Sequence, residues 1–133
     1  MRDKDWLERR FIQIWDLFFP DIERKNVYVC FKGKWKNKFG HIKQKKDKTE
    51  IAINSLFSDI RVPENIVKVT LAHEIVHYMH GFFSHLPRKY KHPHKYGIVD
   101  KVLKEKGFGY MLRQEKEWFR NEGCKLYKEL QKK

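Results

Sequence analysis

Apolar residues return at helical spacing through the first twenty positions of the chain. Trp6, Leu7, Phe11, Ile14, Trp15 and Phe18 recur with Arg10 among them, and Pro20 closes the run. The spacing predicts an amphipathic helix over residues 4–19, packed on a core. A helix lying on a membrane surface is the other use of such a pattern, since Trp and Phe face basic residues there.

The pattern then changes. Val27-Tyr28-Val29-Cys30-Phe31 is rich in β-formers, and residues 39–43 and 50–54 read as two further short strands, with turns over 33–38 and 45–48. Between the first two strands lysine alternates with other residues. If that segment is extended, Lys32, Lys34, Lys36 and Lys38 share one face and Trp35 takes the other. Such a ribbon suits a phosphate backbone, with the aromatic free to stack. As a solvated hairpin, the same charges would guard an edge strand.

Pro63 and Glu64 mark the start of the next helix, over residues 63–79, with a stop near Gly81. It is apolar around most of its circumference, so it should be a central, well-covered element. Residues 82–96, with Pro87, Pro93 and several His and Tyr, read as a loop. A short helix over 97–106, a turn at 107–109 and a long helix over 110–130 complete the chain. No repeat or linker interrupts it. The expected fold is a single α+β domain over 1–133: an N-terminal helix, a sheet of about three strands, a central helix and C-terminal helices.

Composition adds a charge problem. The chain has 133 residues, 30 Lys and Arg against 17 Asp and Glu, and a formal net charge of +13. The natural partners of such a surface are polyanions, DNA or another nucleic acid among them. Cys30 and Cys124 form no CxxC unit, which excludes a zinc ribbon or a disulfide framework. No apolar stretch is long enough for a signal peptide or a membrane span, so a cytoplasmic monomer is expected.

The chemistry centres on His73-Glu74-Ile75-Val76-His77, an HExxH pattern inside the predicted central helix. Residues four apart stack one turn above each other, so two imidazoles there can converge on one Zn2+ ion. Glu74 follows the first ligand and can take a proton from a water that the metal acidifies. The longer HExxHxxGxxH spacing is not met, because Gly81 falls one place late. His80 lies about 10.5 Å along the axis from His73, so it reads as a packing residue rather than a ligand.

An open zinc site needs a third protein ligand. His85, His92 and His94 are the downstream candidates, with Asp100 and Glu105 as carboxylate alternatives. His94 is favoured, then His92, because the loop-to-helix junction can swing back to the metal. Tyr96 and Tyr90 are the candidate oxyanion stabilisers, with Tyr78, Tyr110 and Arg88 behind them. Trp35, Phe82 and Phe83 are candidate walls of a substrate groove.

The strand ending "EIAINSLF", the gap with Pro63, "VTLAHEIVHYMHG" and the later "HPHKYGIVDKVL" together resemble the SprT-like zincins, the group that includes the Spartan proteases. The resemblance covers roughly residues 25–105, without the zinc-ribbon tail that some members carry. It implies a zincin-like fold, His73 and His77 as ligands, Glu74 as catalytic base and a histidine of the 92–94 pair as third ligand. It further implies hydrolysis of a protein or peptide substrate, in some members one bound to DNA. A sheet edge at residues 51–54, beside the active-site helix, would then align an extended substrate. The contrasting expectation is a basic nucleic-acid-binding module with a structural zinc and no peptidase activity.

Overall fold

The computed structural model describes residues 1–36 and 38–132. Asn37, inside the expected turn over 33–38, lies outside the described residues. Helix α1 spans Lys4–Phe18. Asp3 caps it, its Oδ1 accepting from the Trp6 N–H at 2.8 Å. The residue before a proline is pushed out of the α region, and accordingly Phe19 leaves the helix ahead of Pro20. Leu7, Phe11, Ile14 and Trp15 are buried. The apolar face that a membrane-surface helix would keep free is occupied by the core.

Three strands follow: β1 (Val27–Lys32), β2 (Gly40–Lys45) and β3 (Lys48–Asn54). They lie in the order β1-β3-β2, with β1 parallel and β2 antiparallel to β3. Residues 51–54 therefore belong to the central strand, not to an edge as the sequence suggested. The reason is burial: Ile51, Ala52 and Ile53 are wholly covered, and an uninterrupted apolar run suits a strand flanked on both sides. The edge near the central helix is β2. No strand forms between Lys32 and Gly40 among the described residues, so the extended lysine ribbon, one of the two readings of that segment, is not formed.

The sheet has two unlike faces. Val29, Ile51 and Ile53 point to the core, with Val27, Phe31 and Ile42 packed against it. Tyr28, Cys30, Lys32, His41, Lys43 and Glu50 alternate to the other side. Helices α1 and α2 (Glu64–Met79) cover the inner face. Nearly every residue of α2 from Ile66 to Tyr78 is buried, as its all-round apolar character requires. It ends at Met79, and Gly81 turns the chain at φ +86°, where an added Cβ would lie 2.3 Å from the Pro87 carbonyl oxygen. Only glycine tolerates both the dihedral and that close approach.

Helix α3 (Ile98–Glu105) is followed by α4 (Gly109–Trp118), a π-helical segment (Phe119–Gly123) and α5 (Cys124–Gln131). The last three run on as one rod, matching the long final helix expected. One contiguous apolar cluster joins all these helices to the sheet. Cys30 and Cys124 are free and half-buried. Among the described residues, no helix is long and apolar enough to cross a membrane. The architecture is mixed α+β with a small three-stranded sheet.

Candidate metal centre

His73 and His77 project from successive turns of α2 toward a cleft of about 730 Å³. The third imidazole reaches them from the loop after Gly81. That loop is folded back on α2: the Lys89 N–H donates to the His80 carbonyl at 2.8 Å. Arg88 donates to the Tyr90 and Lys91 carbonyls and stacks over Phe82. The path ends with His94 over the two helical histidines. Its Nε2 lies 3.4 Å from that of His73 and 3.0 Å from that of His77, and the helical pair are 3.1 Å apart.

This triangle is a test of metal fit. A neutral imidazole nitrogen is a donor or an acceptor, never both, so three mutual contacts cannot all be hydrogen bonds. Three nitrogens at 2.0–2.1 Å from one tetrahedral ion would stand about 3.3–3.4 Å apart. The observed spacing is close to that. Burial pushes His77 down to about 3 and His73 to about 4, with the neighbouring imidazoles adding to the effect. Both rings are therefore neutral at pH 7, with lone pairs available. His73, His77 and His94 are close enough together to hold a metal ion.

The other candidate ligands are elsewhere. His92 is exposed, and His85 Nδ1 is 2.9 Å from the Tyr78 hydroxyl. His80 is buried, its ring against Tyr90 and neither nitrogen bonded to a described residue. Glu105 is exposed, while Asp100 raises the basicity of His73 from nearby.

Glu74 lines the same cleft and is only 5% exposed. Burial pushes its carboxyl up to about 8, against the opposing charge of Lys38. Gly40, at the start of β2, presses close: a Cβ there would lie 3.2 Å from Glu74 Oε2. Apolar walls come from Val69, Phe82, Phe83, Leu112 and Phe119. Thr49 fixes the Phe83 segment by donating its hydroxyl to the Phe83 carbonyl. On the far wall Glu115 is pushed up to about 7 by burial and the nearby Asp100.

Neither expected oxyanion stabiliser lines this cleft. Tyr90 packs on His80, and Tyr96 is 89% exposed with its ring beside Lys95. Tyr78 is tied to Lys25 and His85, Tyr110 is exposed, and Arg88 serves loop carbonyls. Trp35 is outside the cleft, packed on His41. The four lysines sit in different surroundings. Lys32 pairs with Glu50 at 3.1 Å, Lys34 is exposed, and Lys36 and Lys38 line the cleft.

Sequence reasoning missed a polar group on the outer sheet face. Glu50 accepts from Tyr28, Lys32 and His41, each at 3.1 Å. Burial alone would raise its carboxyl, but these donors override it and hold it at about 2. The available signal was a lone charge inside the apolar strand pattern "EIAIN", because buried carboxylates are almost always paired. Compared with models of known families, with curated proteins and with solved structures, the chain finds no match in any of the three.

Proposed function

We propose that the chain is a zinc-dependent peptidase of the zincin type, related to the SprT-like group. The reading is carried by one observation: three imidazole nitrogens converge in a cleft that also receives the carboxyl of Glu74. His73, His77 and His94 would hold the metal. A zinc ion there supplies a Lewis acid that polarises a carbonyl, acidifies water and draws the Glu74 carboxyl down into its ionised form.

Glu74 then takes the proton of the attacking water and returns it to the leaving amine. Its cover excludes bulk water, and Gly40 leaves it room. The edge of β2 runs past the cleft, where Phe39 to Ile42 line the wall, and its unpaired backbone suits an extended peptide. Phe82, Phe83, Leu112 and Phe119 favour apolar substrate side chains. A structural zinc is normally closed by four protein ligands, whereas among the described residues this cluster has three and faces a cleft. That favours catalysis over a purely structural metal in a basic nucleic-acid-binding module.

The test is zinc content and cleavage of an unfolded protein substrate by wild type and Glu74→Gln. One zinc per chain in both, with turnover reduced at least about 1,000-fold in the variant, is the expected result. Salt-sensitive DNA binding without any cleavage, unchanged in Glu74→Gln, would favour the nucleic-acid module instead.

A further inference from the structure

We propose that Lys38 is a catalytic residue of this cleft: its ammonium, held in place by His41, binds the oxygen that gains charge when a substrate carbonyl is attacked. The assignment rests on the peptidase reading above and names the group that the tyrosines do not supply.

Lys38 immediately precedes the cleft-lining stretch Phe39 to Ile42, and it lines the cleft together with the three histidines and Glu74. Its backbone is fixed from the interior. The Lys38 carbonyl accepts from Asn54 Nδ2 at 3.0 Å and from the Tyr127 hydroxyl at 3.2 Å, and both of those side chains are buried. Its side chain, though exposed, leans on two rings. Nζ is 3.3 Å from His41 Nδ1 and 4.4 Å from the centre of the Trp35 ring.

An ammonium has only protons to offer, so His41 Nδ1 must be the acceptor. The His41 proton is then on Nε2, which donates to Glu50 Oε2 at 3.1 Å. A chain of fixed polarity results: buried carboxylate, neutral imidazole, ammonium. Burial lowers the basicity of His41, which keeps the positive charge on Lys38. Lys38 and the general base Glu74 line the same cleft. Preorganised positive charge beside the reacting carbonyl is what stabilises an oxyanion.

In the reaction the water oxygen bonds to the carbonyl carbon and its proton passes to Glu74. The C=O π pair moves onto oxygen, beside the Lys38 N–H. When that pair re-forms C=O, the C–N bond breaks and the amine takes the proton from Glu74. Lys38 keeps its own proton throughout, and His41 acts as a positioning residue.

The experiment uses the zinc-loaded chain with a fluorogenic peptide, and separately measures binding of a phosphinic peptide, whose tetrahedral anion mimics the attacked carbonyl. Lys38→Met is expected to keep one zinc per chain and to lower kcat about 100-fold with KM within about threefold. Phosphinic-peptide affinity should fall in parallel. Lys38→Arg should recover most of both losses, His41→Leu should lower kcat about tenfold, and Lys48→Met, on the exposed start of β3, should change neither. If wild type cleaves and binds while Lys38→Met matches it, the role of Lys38 is refuted alone. If wild type holds zinc yet neither cleaves nor binds the phosphinic peptide, the peptidase reading fails and takes this role with it.

Discussion

Glu50, on the outer face of the sheet, and Glu74, on the cleft wall of α2, are buried to nearly the same degree, 3% and 5% exposed. Yet one carboxyl is held at about 2 and the other is pushed to about 8. Burial acts on both in the same direction. It weighs more heavily on the deeper Glu74 carboxyl, and the partners differ too: Glu50 accepts from a lysine, a histidine and a tyrosine, while among the described residues the counterweight at Glu74 is the charge of Lys38. A carboxylate already satisfied is structural. One buried without enough positive charge is either a cost or a place prepared for a cation.

The comparison breaks most visibly if the cation is supplied. Zinc at 1,000 times its dissociation constant should raise unfolding stability by about 4 kcal/mol, because it binds the folded chain alone. His77→Ala should abolish that gain, as followed by guanidinium unfolding with zinc and with chelator. A metal that stabilises His77→Ala equally well must be bound elsewhere, and the contrast between the two glutamates would lose its functional meaning.

The same substitution at both sites sharpens it next. Glu50→Gln leaves the His41 N–H and the Lys32 ammonium facing a neutral group; because Lys32 is 40% exposed and water can take over its charge, the cost should be about 2 kcal/mol, below that of a fully buried pair. Glu74→Gln in metal-free protein removes a carboxyl with little compensation, so its cost should stay below about 1 kcal/mol. Equal losses in chemical unfolding would show that both carboxylates are structural.

How far this division was legible differs between the two sites. The helix around His73 and His77 showed plainly, because its apolar residues and histidines share a helical period that survives in isolation. The third histidine was favoured as His94 but not separated cleanly from His92. Its position depends on the Gly81 turn and on bonds from Arg88 and Lys89 that link loop to helix, and no periodicity records those. The central place of β3 was readable in Ile51-Ala52-Ile53 but was overlooked in favour of proximity to the helix. The Glu50 group was hidden because Tyr28 and Lys32 on β1 and His41 on β2 meet only once both strands have paired with β3.

Acidity separates the two sites by sign. The Glu50 carboxyl is depressed from 4.5 to about 2, so its contribution is present above about pH 4.5 and is lost as pH falls toward 2. The Glu74 carboxyl of metal-free protein is raised from 4.5 to about 8. The unfolded chain releases that proton first, so its penalty grows as pH rises from about 4.5 to 8. His73 and His77 also favour the neutral form and weaken the fold below about pH 6.5, equally in wild type and Glu74→Gln. The stability difference between those two chains should therefore drift against wild type as pH rises, and zinc should remove the drift.

The smallest effect tests whether Glu50 is held by a group or by one dominant partner. Tyr28 is partly exposed and gives a single neutral donor at 3.1 Å, whereas Lys32 and His41 each give one more. If the three act together, Tyr28→Phe should cost no more than about 1 kcal/mol, the net value of one such bond. It should also move the acid-unfolding midpoint upward, because a carboxylate with fewer donors is easier to protonate. A shift as large as that of Glu50→Gln would mean that Tyr28 organises the other two. An acid midpoint that does not move would mean that water already takes the place of the phenol, leaving Lys32 and His41 as the whole of the restraint.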